Sequence, residues 1–248
     1  LNIFSYLPFI KLSQFFFLTN TDKYTQYKYL YDNILQGLLG KKKVKKILEI
    51  GIGGHSRDIN SGKSLAAFSK FYKNAHIYGI DLVDKKFLDT DKIKTLICDQ
   101  GNPNDLRKVA KKYGPFDLII DDGSHYTHHQ KISFNTLFKY LNYGGVYIIE
   151  DVGTSYMKSY YGDPYLSKKN TVTYFSELSH CVNNYQLISS KHKKYKNYLN
   201  IEVILFTRDS ILIKKNKSNF KPFPKKLAFQ SLKKIDPLRN KKGIKIFK

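Results

Sequence analysis

The chain has 248 residues, of which 42% are hydrophobic and 15% aromatic, so it can build one sizeable hydrophobic core. Its formal net charge of +23 is typical of proteins that bind nucleic acids or membrane surfaces. Only four of the 43 basic residues are arginines, however, and nucleic-acid readers use arginine for bidentate contacts. We therefore interpret the charge as a solvated lysine surface and expect no nucleic-acid partner.

The cysteines and the apolar N-terminus indicate in which cellular compartment the protein is expected. Cys98 and Cys181 are too few for a disulfide framework and lack metal-site spacing, which predicts a reducing compartment, the cytoplasm. Residues 1–19 are apolar but interrupted by Pro8 and Lys11, and a membrane span needs about 18 uninterrupted apolar residues. We therefore expect an amphipathic segment that lies on the domain and no transmembrane segment.

Strands are predicted where short apolar runs end in glycines or acids. The run Leu118–Ile120 within FDLII, for example, is typical of a strand that is buried on both faces of a parallel sheet. IEVILFT and SILIKKN flank Arg208-Asp209 and predict a hairpin. In chain order the predicted strands are 44–52, 75–82, 93–99, 116–120, 146–151, 201–207 and 210–216.

Helices are predicted between these strands. Residues 64–72 have helical periodicity, and Asn104 is expected to cap a second helix that stops at Gly114-Pro115. Residues 133–141 form a third predicted helix, which closes at a turn over 142–145.

The alternation of strands and helices predicts an α/β fold. We expect a Rossmann-like, doubly wound, mostly parallel seven-stranded sheet with an antiparallel hairpin at its C-terminal end. The sequence thus divides into an N-terminal helical segment at 1–43, which packs on or precedes the core, a main domain at 44–216 and a basic tail at 217–248. Within the main domain, residues 153–200 lack a clear period and are predicted to face the substrate. A homo-oligomer is compatible with this organisation.

Acids stand at the carboxyl ends of the predicted strands, and that edge of an open α/β sheet is where ligands bind. A single aspartate at such a place is more often a helix cap. Acids at the ends of several successive strands, however, indicate a ligand site. The residues at these ends are Glu49, Gly51, Gly53, Gly54, Asp81, Asp99, Gln100, Asp121, Asp122, His125, Glu150 and Asp151.

The glycine-rich turn predicts a nucleotide-like ligand. Gly51 and Gly53 allow close backbone approach, and Asp81 suits the two hydroxyls of a ribose. A phosphate-binding P-loop is excluded because Arg57 stands where its first glycine is required. A nicotinamide cofactor usually requires a third glycine, where this chain has Ser56. The remaining interpretation is a nucleoside-bearing ligand such as S-adenosylmethionine.

Several motifs together resemble a known family. ILEIGIGG, AHIYGIDLVDK, DDGSH and GGVYIIED followed by TSY are similar to the class I S-adenosylmethionine-dependent methyltransferases that O-methylate sugars on macrolides, the mycinamicin- and macrocin-type enzymes. The likeness extends from Thr21-Asp22-Lys23 to about Lys215. The spacing of DDGSH and the later IED is the specific part. The resemblance implies a class I methyltransferase fold and an O-methyltransferase that uses S-adenosylmethionine and Mg²⁺.

The resemblance also implies roles for the acids and the histidine. Asp122, Glu150 and Asp151 would hold Mg²⁺, and His125 would be the general base. The chemistry agrees, because carboxylates from neighbouring strand ends are hard oxygen ligands that suit Mg²⁺. The implied cofactor-binding residues are Glu49, Gly51, Gly53, Asp81, Asp99, Gln100 and Asp121.

The acceptor is expected to be a small molecule or glycan with vicinal hydroxyls, and four alternative interpretations of these features stay open. The acceptor could instead be a catechol or phenol, since methyltransferases of that type share the layout. The lysine surface could serve an RNA methyltransferase. His125 and His129, four residues apart, could form a zinc pair. Asp121 or Asp122 could also merely cap the following helix.

Overall fold

A computed structural model describes residues 10–40, 44–53, 61–164, 170–183, 198 and 200–218. In this part of the chain seven strands form one sheet. The strands are β1 Lys46–Ile50, β2 His76–Asp81, β3 Ile93–Ile97, β4 Phe116–Asp121, β5 Leu141–Glu150, β6 Ile201–Thr207 and β7 Ser210–Lys215. The α-helices are α1 Leu12–Leu18, α2 Lys23–Gln26, α3 Gln36–Leu39, α4 Lys63–Phe71, α5 Pro103–Tyr113, α6 Thr127–Leu137, α7 Thr171–Glu177 and α8 Ser179–Val182.

The strand order β3-β2-β1-β4-β5-β7-β6 confirms the predicted fold. Strands β1 to β5 are parallel, and the hairpin of β6 and β7 adds the antiparallel edge. The order reverses between β1 and β4, so a crevice opens at their carboxyl ends. The predicted ligand residues follow these ends.

Helices cover both faces of the sheet, which is why its central strands are mostly apolar. Along β1, Ile47 joins a core that includes residues of α1 and α4, whereas Leu48 joins the opposite core with residues of α5 and α6. Successive side chains of a strand point to opposite faces, so a strand that is covered on both sides has no polar period.

The N-terminal segment packs on the domain over its described part. Leu12 and Phe16 of α1 are fully buried, and the ring of Phe16 contacts Phe68 of α4 at 5.4 Å between centroids. A π-helix at Leu30–Leu35 continues into α3. Residues 1–9 and the tail beyond residue 218 lie outside the described residues, so the predicted roles of the extreme N-terminus and of the basic tail stay predictions.

Two predicted helix starts were wrong. Asn102, not Asn104, caps α5: its side chain accepts from the Asn104 amide at 2.9 Å, and Pro103 takes the first helical position. Proline fits there because its fixed φ suits a helix and no amide hydrogen is required.

Helix α6 begins at Thr127 rather than at residue 133 and ends at Leu137. Its buried side includes Thr127, Gln130 and Ser133, and these polar residues hide the apolar period. The predicted turn at 142–145 lies inside β5 instead.

Among the described residues, no helix is both long enough and apolar enough to cross a lipid bilayer.

Candidate active site

A cleft of about 950 Å³ opens at the carboxyl ends of β1, β2, β4 and β5. Side chains from the sheet edge and from the N-terminal segment line it together. Most of the residues predicted from the sequence are in its wall, namely Gly51, Gly53, Asp81, Asp99, Gln100, Asp122, His125 and Asp151. Glu49, Asp121 and Glu150 are instead buried behind the wall, each at most 1% exposed.

The glycine turn after β1 brings two strand ends into backbone contact. Gly51 has φ +76°, and a Cβ atom there would lie 2.2 Å from the backbone oxygen of Asp122. The amide of Gly51 donates to the Ile80 carbonyl at 2.9 Å, and the amide of Asp122 donates to the Ile50 carbonyl at 2.9 Å. Only glycine fits this place, so the turn fixes the position of the Asp122 backbone. Gly54 lies outside the described residues.

We expect Gly51→Ala to lower the free energy of unfolding by about 2–4 kcal/mol, because the new methyl group meets backbone atoms at a strained φ. The measurement is urea denaturation followed by circular dichroism. Gly37→Ala is the matched control: nothing lies within 4 Å of its new Cβ, and alanine favours the surrounding helix. Equal stability of the Gly51 variant and the wild type would contradict the steric account.

Asp81 ends β2 and is fixed by three donors. Its Oδ2 accepts from the Ile52 amide at 3.2 Å and from Lys85 Nζ at 3.1 Å, and its Oδ1 accepts from the Val83 amide at 3.1 Å. Lys85 Nζ also donates to the Gly53 carbonyl. This network couples the glycine turn to the acid that was predicted to bind a ribose.

Asp99 and Gln100 follow β3 and differ in what they contact. Asp99 is exposed to the cleft and accepts from the Gly101 amide at 2.7 Å. Gln100 is buried: its Nε2 donates to Asp121 at 2.5 Å, and its Oε1 accepts from the Ser124 amide at 2.9 Å. Gln100 therefore ties Asp121 to the loop after β4.

Burial changes the protonation of two of these acids. Desolvation raises the pKa of Asp121 to about 7, although the hydrogen bond from Gln100 opposes it. Desolvation likewise raises the pKa of Glu49 to about 7, against the opposing charge of Lys23. Glu49 Oε2 accepts from Ser64 Oγ at 2.7 Å, on the helix that follows the glycine turn. Both acids support the cleft from behind, and the cofactor contacts predicted for them stay predictions.

Asp122, His125 and Asp151 converge on one point of the cleft. Each offers a potential ligand atom, and these atoms lie within 4.8 Å of one another. The backbones of His125 and Asp151 are left-handed, with φ 59° and 52°, a conformation that single residues adopt at a cost where the surroundings fix it. This group could hold a divalent cation.

His125 is close to a carboxylate but makes no side-chain hydrogen bond through Nδ1. That atom lies 3.7 Å from Asp151 Oδ2, and it is buried without a hydrogen-bond partner among the residues that the structure describes. The backbone carbonyl of His125 accepts from Thr154 Oγ1 at 3.1 Å, which fixes the loop. The imidazole is thus positioned at the cleft with an unused ring nitrogen.

Glu150 is placed differently from the other two predicted metal ligands. It is fully buried; its Oε1 accepts from the Tyr31 hydroxyl at 2.6 Å, and its Oε2 accepts from Lys23 Nζ. Desolvation raises the pKa of Glu150, and the charge of Lys23 opposes that shift. The structure therefore brings Asp122 and Asp151 together at the cleft surface and holds Glu150 beneath them.

The N-terminal segment supplies site residues that the sequence prediction missed. Lys23 Nζ donates to Asp122 Oδ2 at 2.6 Å. The Tyr27 hydroxyl donates to Asp151 Oδ1 at 2.9 Å and accepts from the Asp151 amide at 2.9 Å. Lys23, Tyr27 and Tyr31 are four residues apart, so one helical side faces the acids. That four-residue spacing of polar residues, next to the Thr21-Asp22-Lys23 motif, is the sequence signal that could have predicted their place in the site.

His129 is not part of the metal-capable group found among the described residues. Its Nδ1 lies 2.8 Å from Ser124 Oγ, and His125 precedes the helix on which His129 stands. Two histidines bind zinc at this spacing when both stand on one helix face, so the zinc alternative lacks its geometry.

Aromatic side chains form the outer wall of the cleft. Tyr126 and Tyr160 line it, and the Tyr126 ring packs edge-on against Tyr161 at 5.1 Å between centroids. Tyr156, the tyrosine of the TSY motif, is 41% exposed. The described part of the predicted substrate-facing loops thus supplies part of this wall.

Comparisons with known proteins agree on the type of enzyme that this chain resembles, although no protein-family model matches. Demethylmacrocin O-methyltransferase of Streptomyces fradiae is 42% identical over 118 residues, which are 48% of this chain and 30% of that protein. Mycinamicin VI 2''-O-methyltransferase of Micromonospora griseorubida is 41% identical over 117 residues, 47% of this chain and 29% of that protein. The match thus covers less than a third of these relatives' length.

Solved structures of the MycE methyltransferase from the mycinamycin biosynthetic pathway have the same fold. One, in complex with Mg and SAH, has a TM-score of 0.78 and 26% identity, covering 92% of this chain and 60% of that one. Another, which also contains mycinamycin VI, has a TM-score of 0.75 and 27% identity, covering 87% and 57%. The chain therefore has the class I methyltransferase fold, and its homologues include sugar O-methyltransferases that act on macrolides.

Proposed function

We propose that this chain is an S-adenosylmethionine-dependent O-methyltransferase that methylates a sugar hydroxyl with the help of a divalent cation such as Mg²⁺. One observation carries the proposal: Asp122, His125 and Asp151 converge within 4.8 Å in the same cleft that contains the glycine turn and Asp81. The similarity to named sugar O-methyltransferases, and to a structure solved with Mg and SAH, supports it.

The acids fit a hard divalent cation. Asp122 and Asp151 present carboxylate oxygens at the cleft surface, and such oxygens are the ligands that Mg²⁺ prefers. Glu150 is the third predicted ligand, one residue before Asp151. Its oxygens are engaged by Lys23 and Tyr31, so Asp122 and Asp151 would contact the cation first.

The part of the cleft beside the glycine turn fits a nucleoside ligand. The absence of a side chain at Gly51 and Gly53 leaves the backbone open to close approach, and Asp81 is anchored beside them. The volume of about 950 Å³ accommodates a cofactor together with a small acceptor. We assign cofactor binding to Glu49, Gly51, Gly53, Asp81, Asp99, Gln100 and Asp121, with Glu49 and Asp121 acting from behind the wall.

His125 is the proposed general base. When bound, the cofactor would supply an activated methyl group and the cation would lower the pKa of the acceptor hydroxyl. His125 then accepts the hydroxyl proton on an imidazole nitrogen, and the carboxylate oxygen Oδ2 of Asp151 lies 3.7 Å from its Nδ1. Positioning of the two reactants in one cleft supplies much of the remaining acceleration.

The proposed acceptor is a small glycoside or glycan with vicinal hydroxyls. Tyr126 and Tyr160 give the cleft mouth apolar ring faces of the kind that pack against sugar rings. A catechol or phenol acceptor is the second candidate, because the same acids and base would serve it. Cys98 and Cys181 are buried and form no disulfide bond, which favours the cytoplasm as the place of the reaction.

Methyl transfer from labelled S-adenosylmethionine to panels of sugars and phenols tests this function. We expect label in a glycoside with neighbouring hydroxyls, and we expect EDTA to abolish the transfer. Label in phenols alone would favour the second candidate. The RNA alternative predicts label in RNA and binding that weakens steeply with salt. Absence of S-adenosylmethionine binding in calorimetry would overturn the proposal.

A further inference from the structure

The ammonium group of Lys23 lies among three carboxylates at the base of the cleft. Its Nζ is 2.6 Å from Asp122 Oδ2, contacts Glu150 Oε2, and is 3.6 Å from Glu49 Oε1. Only 2% of the lysine is exposed. Lys23 therefore holds, inside the protein, the position between acids that a bound cation would otherwise take.

Lys23 uses the same oxygens that a metal ion would require. The second oxygen of Glu150, Oε1, already accepts from the Tyr31 hydroxyl at 2.6 Å. An ion that bound both Glu150 and Asp122 would thus share a Glu150 oxygen with Lys23 or Tyr31, or displace one of them. Even without displacement, a positive charge this close repels a second cation, and burial leaves little water to screen it.

The rest of the N-terminal segment keeps Lys23 in this place. Tyr27 is bonded to Asp151, and Gln26 Nε2 donates to Asp151 Oδ1 at 2.9 Å and to Asp209 Oδ2 at 3.0 Å. These contacts join α2 to the loops after β5 and β6. The acids on which the proposed function depends are therefore held by a segment about a hundred residues away in the chain.

We propose that Lys23 is a resident cation of the acidic cluster and competes with the divalent ion for Asp122 and Glu150. The inference rests on the proposed function, because it concerns the same ion. Lys23 fills the inner position while no ion is bound, and the ion enters from the side of Asp151. A purely structural Lys23 would stabilise the fold without changing how tightly the ion binds.

Calorimetric titration with Mg²⁺ separates these two roles. We expect Lys23→Met, which keeps the length and loses the charge, to bind Mg²⁺ about tenfold or more tightly than the wild type, because a repelling charge and a competitor are both removed. Lys28→Met is the matched control, since Lys28 is exposed on the same segment and its ammonium lies over the Tyr24 ring. Its affinity should equal that of the wild type.

Equal or weaker binding by Lys23→Met would overturn the competition, as would the absence of Mg²⁺ binding in both proteins. Binding by the variant alone would support it. If the variant does not fold, competition is tested in the wild type by acylating its lysines and measuring the extent of acylation by mass spectrometry. Saturating Mg²⁺ should raise the reactivity of Lys23 at least threefold relative to Lys28, and unchanged reactivity would refute the proposal. If Lys23 competes with Mg²⁺ but no methyl transfer is found, the proposed function is refuted and the competition stands.

Discussion

Replacing Asp122 by asparagine is expected to lower turnover by about 100-fold or more, because the cation then loses a charged ligand and is held less well beside the acceptor hydroxyl, whose pKa it would lower. Asp122 is the acid that links the two halves of the site: its Oδ2 accepts from Lys23, and it stands in the metal-capable group with His125 and Asp151. Asparagine keeps the shape and an oxygen that Lys23 can reach, so the fold should persist. Turnover is measured with labelled S-adenosylmethionine and an accepted glycoside.

Two further measurements make the Asp122 result specific. The affinity for Mg²⁺ should fall by at least about tenfold, whereas the affinity for S-adenosylmethionine should change by less than about threefold. Asp91→Asn is the control, since Asp91 is exposed before β3, away from the cleft. Normal turnover of the Asp122 variant that also persists in EDTA would remove the metal from the mechanism.

The sheet and its acidic edge could be predicted because they depend on local signals. Buried strands such as Phe116–Asp121 are short apolar runs, and their ends are marked by the residues at which the runs stop. Parallel strands then bring these ends to one edge, whatever the length of the connections. Asp122, His125 and Asp151, all predicted at this edge, have potential ligand atoms within 4.8 Å of one another in the structure.

The role of the N-terminal segment could not be predicted because it depends on distant contacts. Lys23 and Asp122 are 99 residues apart in the sequence, and Lys23 and Glu150 are 127 apart. In a lysine-rich chain, any one lysine is expected to lie on the surface. Lys23 is buried instead, because carboxylates offset the cost of its desolvation. Burial by itself lowers the pKa of Lys23, but the charges of Asp122 and Glu150, together with Tyr31 and Glu49, raise the pKa overall.

The sequence also could not show which of the three predicted metal ligands face the cleft and which is buried. Glu150 and Asp151 are adjacent, but the left-handed backbone of Asp151 turns the chain where β5 ends. Glu150 is consequently still in the strand and points into the protein, while Asp151 faces the cleft. Whether Glu150 binds the ion depends on Lys23 and Tyr31, which no local pattern around residue 150 reveals.

Replacing His125 by asparagine is expected to lower the turnover number by about 10²–10⁴-fold, the usual contribution of a general base. Asparagine is the suitable replacement because φ at this position is 59°, and asparagine tolerates left-handed backbone better than alanine does. The variant should therefore keep the loop and bind S-adenosylmethionine as the wild type does. His76→Asn is the control, since His76 is exposed at the opposite end of β2.

Calorimetry with Mg²⁺ then distinguishes a base from a ligand at His125. A base can be removed with little effect on the affinity for the ion, whereas a ligand cannot, and His125 lies close enough to Asp122 and Asp151 to be either. We expect unchanged Mg²⁺ affinity together with a rate that keeps rising at alkaline pH, where solvent hydroxide replaces the lost base. A variant that turns over normally would exclude His125 as the base. A variant that loses Mg²⁺ binding would instead make the imidazole a metal ligand, which requires another group to accept the proton.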